Sequence, residues 1–549
     1  MNEERTDPKP RRRAIPIHPV LFAVAPIVFV YAYNGTKIPI DPRELLLPIA
    51  LSLAMTAVLW TVMGFAFGSA TRVAPVVSLF LVLFFSYGHV AGALRLNSRT
   101  WAVLLPFWAL LMAVGAWLAA RHSRPAVRGQ QFGTTVLLNC IATAILAVNL
   151  ATGLQAFVHR TPRIERTPRR AIAATGAAHP DIYYIILDGY ARADILERIY
   201  NYDNSGFLDR LRQMGFYVAG KSRSNYCQTV SSLASSLNLM YLDSIADALG
   251  PESRDKRPLV NMLAGSRLMT FLRQQGYAVM AFATGYGPTD FKDAEFYRAP
   301  PWAVSEFRNV LLGTTLVPPL LEVLGLRTQF DLHRERILYA FGHLADAVQV
   351  EPPVFVFAHI VAPHPPFVFG ADGERLNPGG VYHLLDGSHL RRMDRALQSE
   401  YVTRYRDQLV FVNTLVLTAL QRILAQSTAR PYVILQGDHG PGSRLDWESA
   451  ESTDMAERTS ILNAYYFPGQ DYSKLYDSIT PVNTFRVIIS QLFDTTLALL
   501  PDRTYFNTFS RPYYFYDVDR PTSPPTFGGP AGREPRVDPV SDKRRPAEE

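Results

Sequence analysis

Three short segments carry residues able to support metal-assisted chemistry. Asp188 stands in Leu187-Asp188-Gly189-Tyr190, directly after an apolar run and at the entrance to a glycine turn. Asp438 and His439 hold the corresponding place in Gln436-Gly437-Asp438-His439-Gly440. A carboxylate beside an imidazole on a glycine-bounded loop suits a divalent cation, the carboxylate supplying charge and the imidazole selectivity. Asp188 alone would serve equally as a turn or cap residue; beside Asp438 and His439 it makes a three-donor set. The third segment, Ser224 to Leu233, is a hydroxyl-rich turn opening an apolar helix predicted over about Val230–Tyr241. Free N–H groups and the positive dipole end at a helix start favour an anionic phosphoryl or sulfuryl group and lower the pKa of a hydroxyl held there. An ordinary Ser/Thr N-cap would leave the same sequence.

These residues need elements to position them. Asp181–Leu187, Tyr277–Ala283, Pro353–Ile360 and Pro431–Gln436 are apolar, β-rich runs. Helical stretches lie between them: Phe207–Met214, ended by Gly215 and followed by the strand-like Phe216–Ala219; Arg267–Gln275, N-capped by Ser266 and ended by Gly276; and Asp407–Gln426. Strands apolar throughout, alternating with helices, predict a mainly parallel central sheet covered on both faces. In such sheets chemistry gathers at the carboxyl ends of the strands. Asp188, His359, His364 and the Asp438-His439 pair all fall there.

The first third has a different grammar. Ile17–Tyr33, Leu45–Phe67, Val73–Leu94, Trp101–Ala120 and Val136–Phe157 are long apolar runs almost free of charge. Each approaches the roughly 20 residues needed to cross a bilayer, and no small-residue cleavage site follows the first. The expected organisation is a membrane unit of about five transmembrane helices (1–157), a linker (158–179), an α/β domain (180–519) and a disordered tail (520–549). Arg5, Lys9 and Arg11 to Arg13 precede the first span, and Arg121, Arg124 and Arg128 lie in the fourth connection, which predicts a cytoplasmic N-terminus. An odd number of spans then puts the α/β domain outside, although Arg160, Arg163, Arg166, Arg169 and Arg170 would sit on that outer side. Intramembrane His89, Asn139 and Asn149 could line a substrate path, but helix-to-helix hydrogen bonding is the commoner use of such an Asn pair.

Composition adds exclusions. Two cysteines over 549 residues rule out a disulfide scaffold and a thiolate zinc module. A net charge of +7 at this length argues against a nucleic-acid partner, and no stable protein partner is expected.

The order of Asp after the first strand, Thr at a helix start, His-x-Pro downstream and Asp-His-Gly after a late strand resembles the alkaline phosphatase/sulfatase superfamily. Five spans ahead of such a domain resemble its membrane-bound branch, the lipoteichoic acid synthases and lipid A phosphoethanolamine transferases. The resemblance covers the chain up to the tail. It implies that Asp188, Thr229, Asp438 and His439 ligate one divalent metal ion, with Thr229 as nucleophile. It further implies that Thr229 and Ser232 form the transferases' Thr-x-x-Ser pattern, with Ser232 on the substrate side. His359 and His364 match two substrate-side histidines, and His364 is also a catalytic candidate. The departures are informative: Cys227 lacks the Pro and Arg of a formylglycine sulfatase, which disfavours sulfate-ester hydrolysis. His333, His343, His383 and His389 are expected in surface or structural roles rather than in a second metal site.

The implied reaction moves a phospho-head-group, phosphoethanolamine or phosphoglycerol in type, from a lipid donor to a glycan or lipid acceptor through a phospho-threonine. Mn or Zn is favoured by the imidazole, with Mg and Ca also possible. Membrane lipids are the expected partners, in a bacterial inner membrane with the α/β domain periplasmic or extracellular. A phosphodiesterase or phosphatase using water as acceptor would carry the same residues, and a non-enzymatic binding protein is the third reading.

Overall fold

The computed structural model describes residues 14–94, 96, 101–121, 128–158, 179–351, 353–387 and 395–520. Most of the expected linker and tail, the N-terminal basic cluster and His389 lie outside them.

Five apolar helices form the N-terminal unit: α1 (His18–Gly35), α2 (Leu46–Ala66), α3 (Ala70–Ala93), α4 (Leu104–Arg121) and α5 (Arg128–Val158). This is a membrane protein, with charges confined to the helix ends and connections. α1 lies at the centre of the bundle, against α2, α3 and α5. It runs parallel to α5. Asn139, near the start of α5, accepts from the backbone N–H groups of Ile17 (3.1 Å) and His18 (3.0 Å) and donates to the Ile15 carbonyl (2.9 Å). At the other end, Gly153 rests against Tyr31 and Ala32. Length and hydropathy would also admit helix Arg395–Gln426 as a span. That helix instead buries Tyr401, Tyr405, Leu409, Val412 and Val416 in a core of the α/β domain, and it carries Arg404, Arg406 and Asp407.

The α/β domain is built on a seven-stranded sheet: β1 (Ile182–Leu187), β2 (Tyr217–Val218), β3 (Ala278–Phe282), β4 (Phe296–Arg298), β5 (Val354–Ile360), β6 (Tyr432–Gly437) and β7 (Asn463–Tyr466). Their order is β2-β7-β6-β1-β5-β3-β4. From β6 through β1, β5 and β3 to β4 all pairs are parallel, while β7 joins β6, and β2 joins β7, antiparallel. β1, β5 and β6 are buried along their full lengths, which explains why they read as unbroken apolar runs. One core packs helices Ala193–Tyr200, Gln329–His343 and Arg395–Gln426 on one face; a second packs Thr229–Asn238, Arg257–Ala264 and Pro481–Leu492 on the other. A small hairpin, β8 (Tyr505–Asn507) with β9 (Phe515–Asp517), closes the described chain.

The two units dock through the ends of α1 and α3 and the start of α2. Glu44, just before α2, accepts from Lys292 Nζ (3.0 Å) and Ser305 Oγ (2.7 Å) and pairs with Arg308 (2.9 Å). The Leu316 N–H donates to the Phe84 carbonyl of α3 (2.9 Å). Gly88 of α3 meets helix Glu306–Thr314 so closely that a Cβ there would overlap the Gly313 carbonyl. The helices alternate up and down as five crossings require, so the start of α1 and the α/β domain lie at opposite ends of the bundle.

Candidate metal centre

The register of β1 between β5 and β6 brings Leu187, Ile360 and Gly437 level. The residues that follow each strand therefore converge. Asp188 leaves β1, Asp438 and His439 leave β6, His359 ends β5, and His364 follows it; all five are buried. Backbone bonds tie the loops, since His364 N–H donates to the Asp188 carbonyl (3.0 Å) and Gly189 N–H to Asp438 Oδ1 (3.1 Å). Gly189 has φ +72°, and a Cβ there would stand 3.6 Å from that of His364, so turn geometry and close approach both call for glycine.

One ligand atom each from Asp188, Asp438 and His439 lies within 4.8 Å of the others. His439 Nδ1–H donates to the Gly440 carbonyl (2.9 Å), which leaves the Nε2 lone pair facing the two carboxylates. Nε2 is 3.6 Å from Asp188 Oδ1 and 3.4 Å from Asp438 Oδ2. Both of those carboxylate oxygens are buried without a hydrogen-bond partner in the protein, as is His359 Nε2. A buried, unpartnered carboxylate oxygen is costly unless something cationic satisfies it. Two such oxygens converging on an imidazole lone pair fit a divalent cation held by Asp188, Asp438 and His439.

Thr229 completes the arrangement. It is the first residue of helix Thr229–Asn238, and its Oγ1 donates to His439 Nε2 at 3.0 Å. Its hydroxyl thus points at the donor set from a helix N-terminus, where the dipole stabilises negative charge. Ser232 lies one turn on, buried, and its Oγ donates to the Asp438 carbonyl (2.7 Å). In this structure it steadies the metal loop. His359 is held by Thr289, whose Oγ1 is 2.8 Å from Nδ1, and its Nε2 lies 3.3 Å from Asp188 Oδ2. His364 Nδ1–H donates to the Pro365 carbonyl (2.6 Å), and its Nε2 lies 4.0 Å from Asp386 Oδ2.

Two further residues carry no motif in the sequence. Asp386 comes from a coil segment and Arg458 from the short helix Met455–Thr459. Both are buried and pair with each other. Arg458 also donates to the carbonyls of Cys227 (2.8 Å) and Gly440 (2.8 Å), and its Nη2 lies 3.4 Å from His439 Nε2. One guanidinium therefore joins the turn before Thr229 to the loop after His439. Asp386 accepts from Tyr401 (2.7 Å) and stands 4.0 Å from His364 Nε2. Arg458 follows Gly440 by 18 residues of irregular, mostly polar sequence, so no pattern in the sequence marks the pair.

The electrostatics separate the two imidazoles. Burial and the Arg458 charge push His439 down, keeping it neutral as a ligand must be. Burial also opposes the cation at His364, but Asp188 and Asp386 outweigh it and raise the pKa. Burial would raise Asp188, yet the surrounding His364, His359 and His439 hold it well below the usual carboxylate range. Asp386 is likewise lowered despite burial, chiefly by Arg458.

The remaining candidates lie elsewhere. His333 is buried with Nδ1 3.2 Å from the Tyr382 hydroxyl, and burial with the nearby Arg336 pushes it down to about 3. His343 stacks on Tyr339. Cys140, in α5, and Cys227, beside Thr229, are both free thiols, and burial raises that of Cys227.

No protein-family model matches the chain, and no curated protein matches it. Among solved structures it is similar to the periplasmic domain of EptC from Escherichia coli in complex with Zn, at 12% identity and a TM-score of 0.41, over 63% of this chain and 94% of that one. The integral membrane lipooligosaccharide phosphoethanolamine transferase A of Neisseria meningitidis aligns at 11% identity and a TM-score of 0.37, over 86% and 95%. An alkaline phosphatase superfamily protein from Vibrio parahaemolyticus aligns at 12% identity and a TM-score of 0.36, over 61% and 74%.

Proposed function

We propose that the protein is a metal-dependent, membrane-bound transferase that moves a phospho-head-group, phosphoethanolamine or phosphoglycerol in type, from a lipid donor to a glycan or lipid acceptor. The observation that carries this reading is the Thr229 hydroxyl, aimed from a helix N-terminus at three buried donors, with one oxygen of each carboxylate lacking a protein partner.

A divalent ion held by Asp188, Asp438 and His439, Mn or Zn by its donor chemistry, would favour ionised Thr229 and offset charge on the phosphoryl oxygens. Thr229 Oγ1 attacks phosphorus, an O–P bond forms, and the bond from phosphorus to the donor's alcohol oxygen breaks. His364, kept protonated by Asp188 and Asp386, gives its proton to that departing oxygen. An acceptor hydroxyl then attacks the phospho-threonine and returns a proton to His364, and the Thr229 O–P bond breaks. His359 orients phosphoryl oxygens from the far side of Asp188. Arg458 holds the turn before Thr229 and the loop after His439 at a fixed separation.

The five spans support a lipid donor or acceptor, because they keep the site beside the bilayer. The N-terminal basic cluster supports a cytoplasmic N-terminus, with the α/β domain periplasmic or extracellular in a bacterial inner membrane. Intact-mass analysis after incubation with phosphatidylethanolamine or phosphatidylglycerol tests the covalent step. A head-group-phosphate adduct on Thr229, absent from Thr229→Ala, is the expected result; full turnover by Thr229→Ala would refute it. An adduct discharged only to water would instead assign the site to a phosphodiesterase.

A further inference from the structure

At the joint between the two units lies a wholly apolar groove of about 410 Å³, within the range of small-ligand sites. One wall is α3 with Leu83 and Phe84, a second is α4 with Leu105, Trp108 and Met112, and the third is the α/β domain's own Leu316 and Leu320. A groove with two walls of membrane helix opens toward lipid. Its third wall does not end there. Helix Val317–Val323 and the turn after it continue outward as Val323, Leu324 and Leu326, each more than half exposed. Exposed apolar residues gathered beside membrane helices in this way fit contact with the bilayer.

The same joint leads to the metal centre. Val381 packs into the cluster formed by Leu83, Tyr87 and Trp108, next to Leu316. Five residues later, Asp386 pairs with Arg458 and stands 4.0 Å from His364 Nε2. Fully extended, that length of chain spans at most about 18 Å.

We infer that the groove is the acyl-chain subsite of the lipid substrate: a tail lying between α3, α4 and Leu320 places its head group toward His364 and Thr229. This rests on the lipid substrate proposed above and adds where that lipid's tail is held. The occupant is a long alkyl chain rather than a peptide, because the walls offer neither a charge nor a free backbone edge to pair with.

The full-length protein in nanodiscs, with phosphatidylethanolamine carrying a diazirine in its acyl chain, provides the test. Labelling of Leu105–Met112 and Leu316–Leu320 should saturate as the probe fraction rises. Labelling of the outward face of α2 at Val58 and Phe65, which simply faces bulk lipid, should rise linearly. Ala109→Trp and Leu320→Trp, which fill the groove, should remove the saturable component. They should also lower the turnover ratio of long-chain phosphatidylethanolamine to water-soluble bis(p-nitrophenyl) phosphate at least tenfold. Linear labelling in the groove would overturn the inference, as would an unchanged ratio in variants that retain wild-type metal content. Saturable labelling with no cleavage of either phosphodiester would uphold the acyl site while removing the assigned reaction.

Discussion

The membrane unit and the α/β domain both bury polar side chains, and they use them differently. In the bundle, Asn139 bridges to the start of α1, His18 Nδ1 lies 2.6 Å from Ser78, and Ser52 donates to the Ala23 carbonyl (2.8 Å). Those groups hold helices together, with His18 Nε2 as an exception left unpartnered. At the strand ends of the α/β domain, Asp188 Oδ1 and Asp438 Oδ2 converge on His439 without protein partners. Isolated orphans occur in both regions, but only the second set is gathered around one point and faced by a helix-borne hydroxyl. The difference teaches that convergence, rather than polarity or burial alone, separates a ligand site from structural glue.

Breaking the converging set should have the largest effect. Asp438→Ala should remove the bound metal and lower turnover by at least about 10³-fold, while circular dichroism stays native; retained metal, measured by elemental analysis, would dissolve the distinction between the regions. Arg458→Met comes next. It leaves Asp386 as a buried, unpaired charge and should cost roughly 3–5 kcal/mol in chemical denaturation. The double variant Arg458→Met with Asp386→Leu should recover part of that stability but not the activity, because the tie between the Thr229 turn and the His439 loop stays broken.

A third measurement uses pH. Burial, with a smaller contribution from Asp454, raises Glu457 to about 7 despite bonds from Ser443, Tyr200 and the Arg444 N–H. Its folded-state pKa exceeds the unfolded value, so between about 4.5 and 7 the folded state binds more protons. Stability should therefore be greater near pH 4.5 and decline toward pH 7, by up to about 3 kcal/mol. Glu457→Gln should flatten that window in thermal melts, and an unchanged slope would show that Glu457 does not titrate there. The smallest effect belongs to the bundle. Asn139→Leu should cost about 1 kcal/mol, in keeping with interhelical bonds in membranes, and leave cleavage of a soluble phosphodiester unaltered.

How far the molecule could be read from its residues follows the same division. Four apolar runs became helices within about three residues, and the fifth helix starts at Arg128, eight residues before the expected Val136, because the bilayer demands length and apolarity and little else. β1, β5 and β6 were legible for a similar reason, being buried on both faces. Their carboxyl ends then placed Asp188, His359, His364, Asp438 and His439 together. Asp386 and Arg458 escaped notice because they come from a coil and a five-residue helix, where neither period nor motif marks a position. Helix Arg395–Gln426 starts well before the expected Asp407, since its first turns are mostly polar and bury only Tyr401 and Tyr405. β7 brings an antiparallel strand to an otherwise parallel region, a pairing that short apolar runs do not disclose. The apolar groove joins segments more than two hundred residues apart, beyond the reach of any local pattern.

The glycine contact between Gly88 and Gly313 has a consequence for how substrate is found. Backbone is set against backbone there, and Leu316 is bonded to Phe84, so the α/β domain is tied to α3 at two neighbouring points. That tie fixes the distance from the strand-end cluster to the membrane helices. For the lipid substrate proposed above, arrival would be by lateral diffusion in the plane of the membrane, a two-dimensional search, with phosphorus presented at that distance. The joint would then act as a ruler that screens head groups by how far they project.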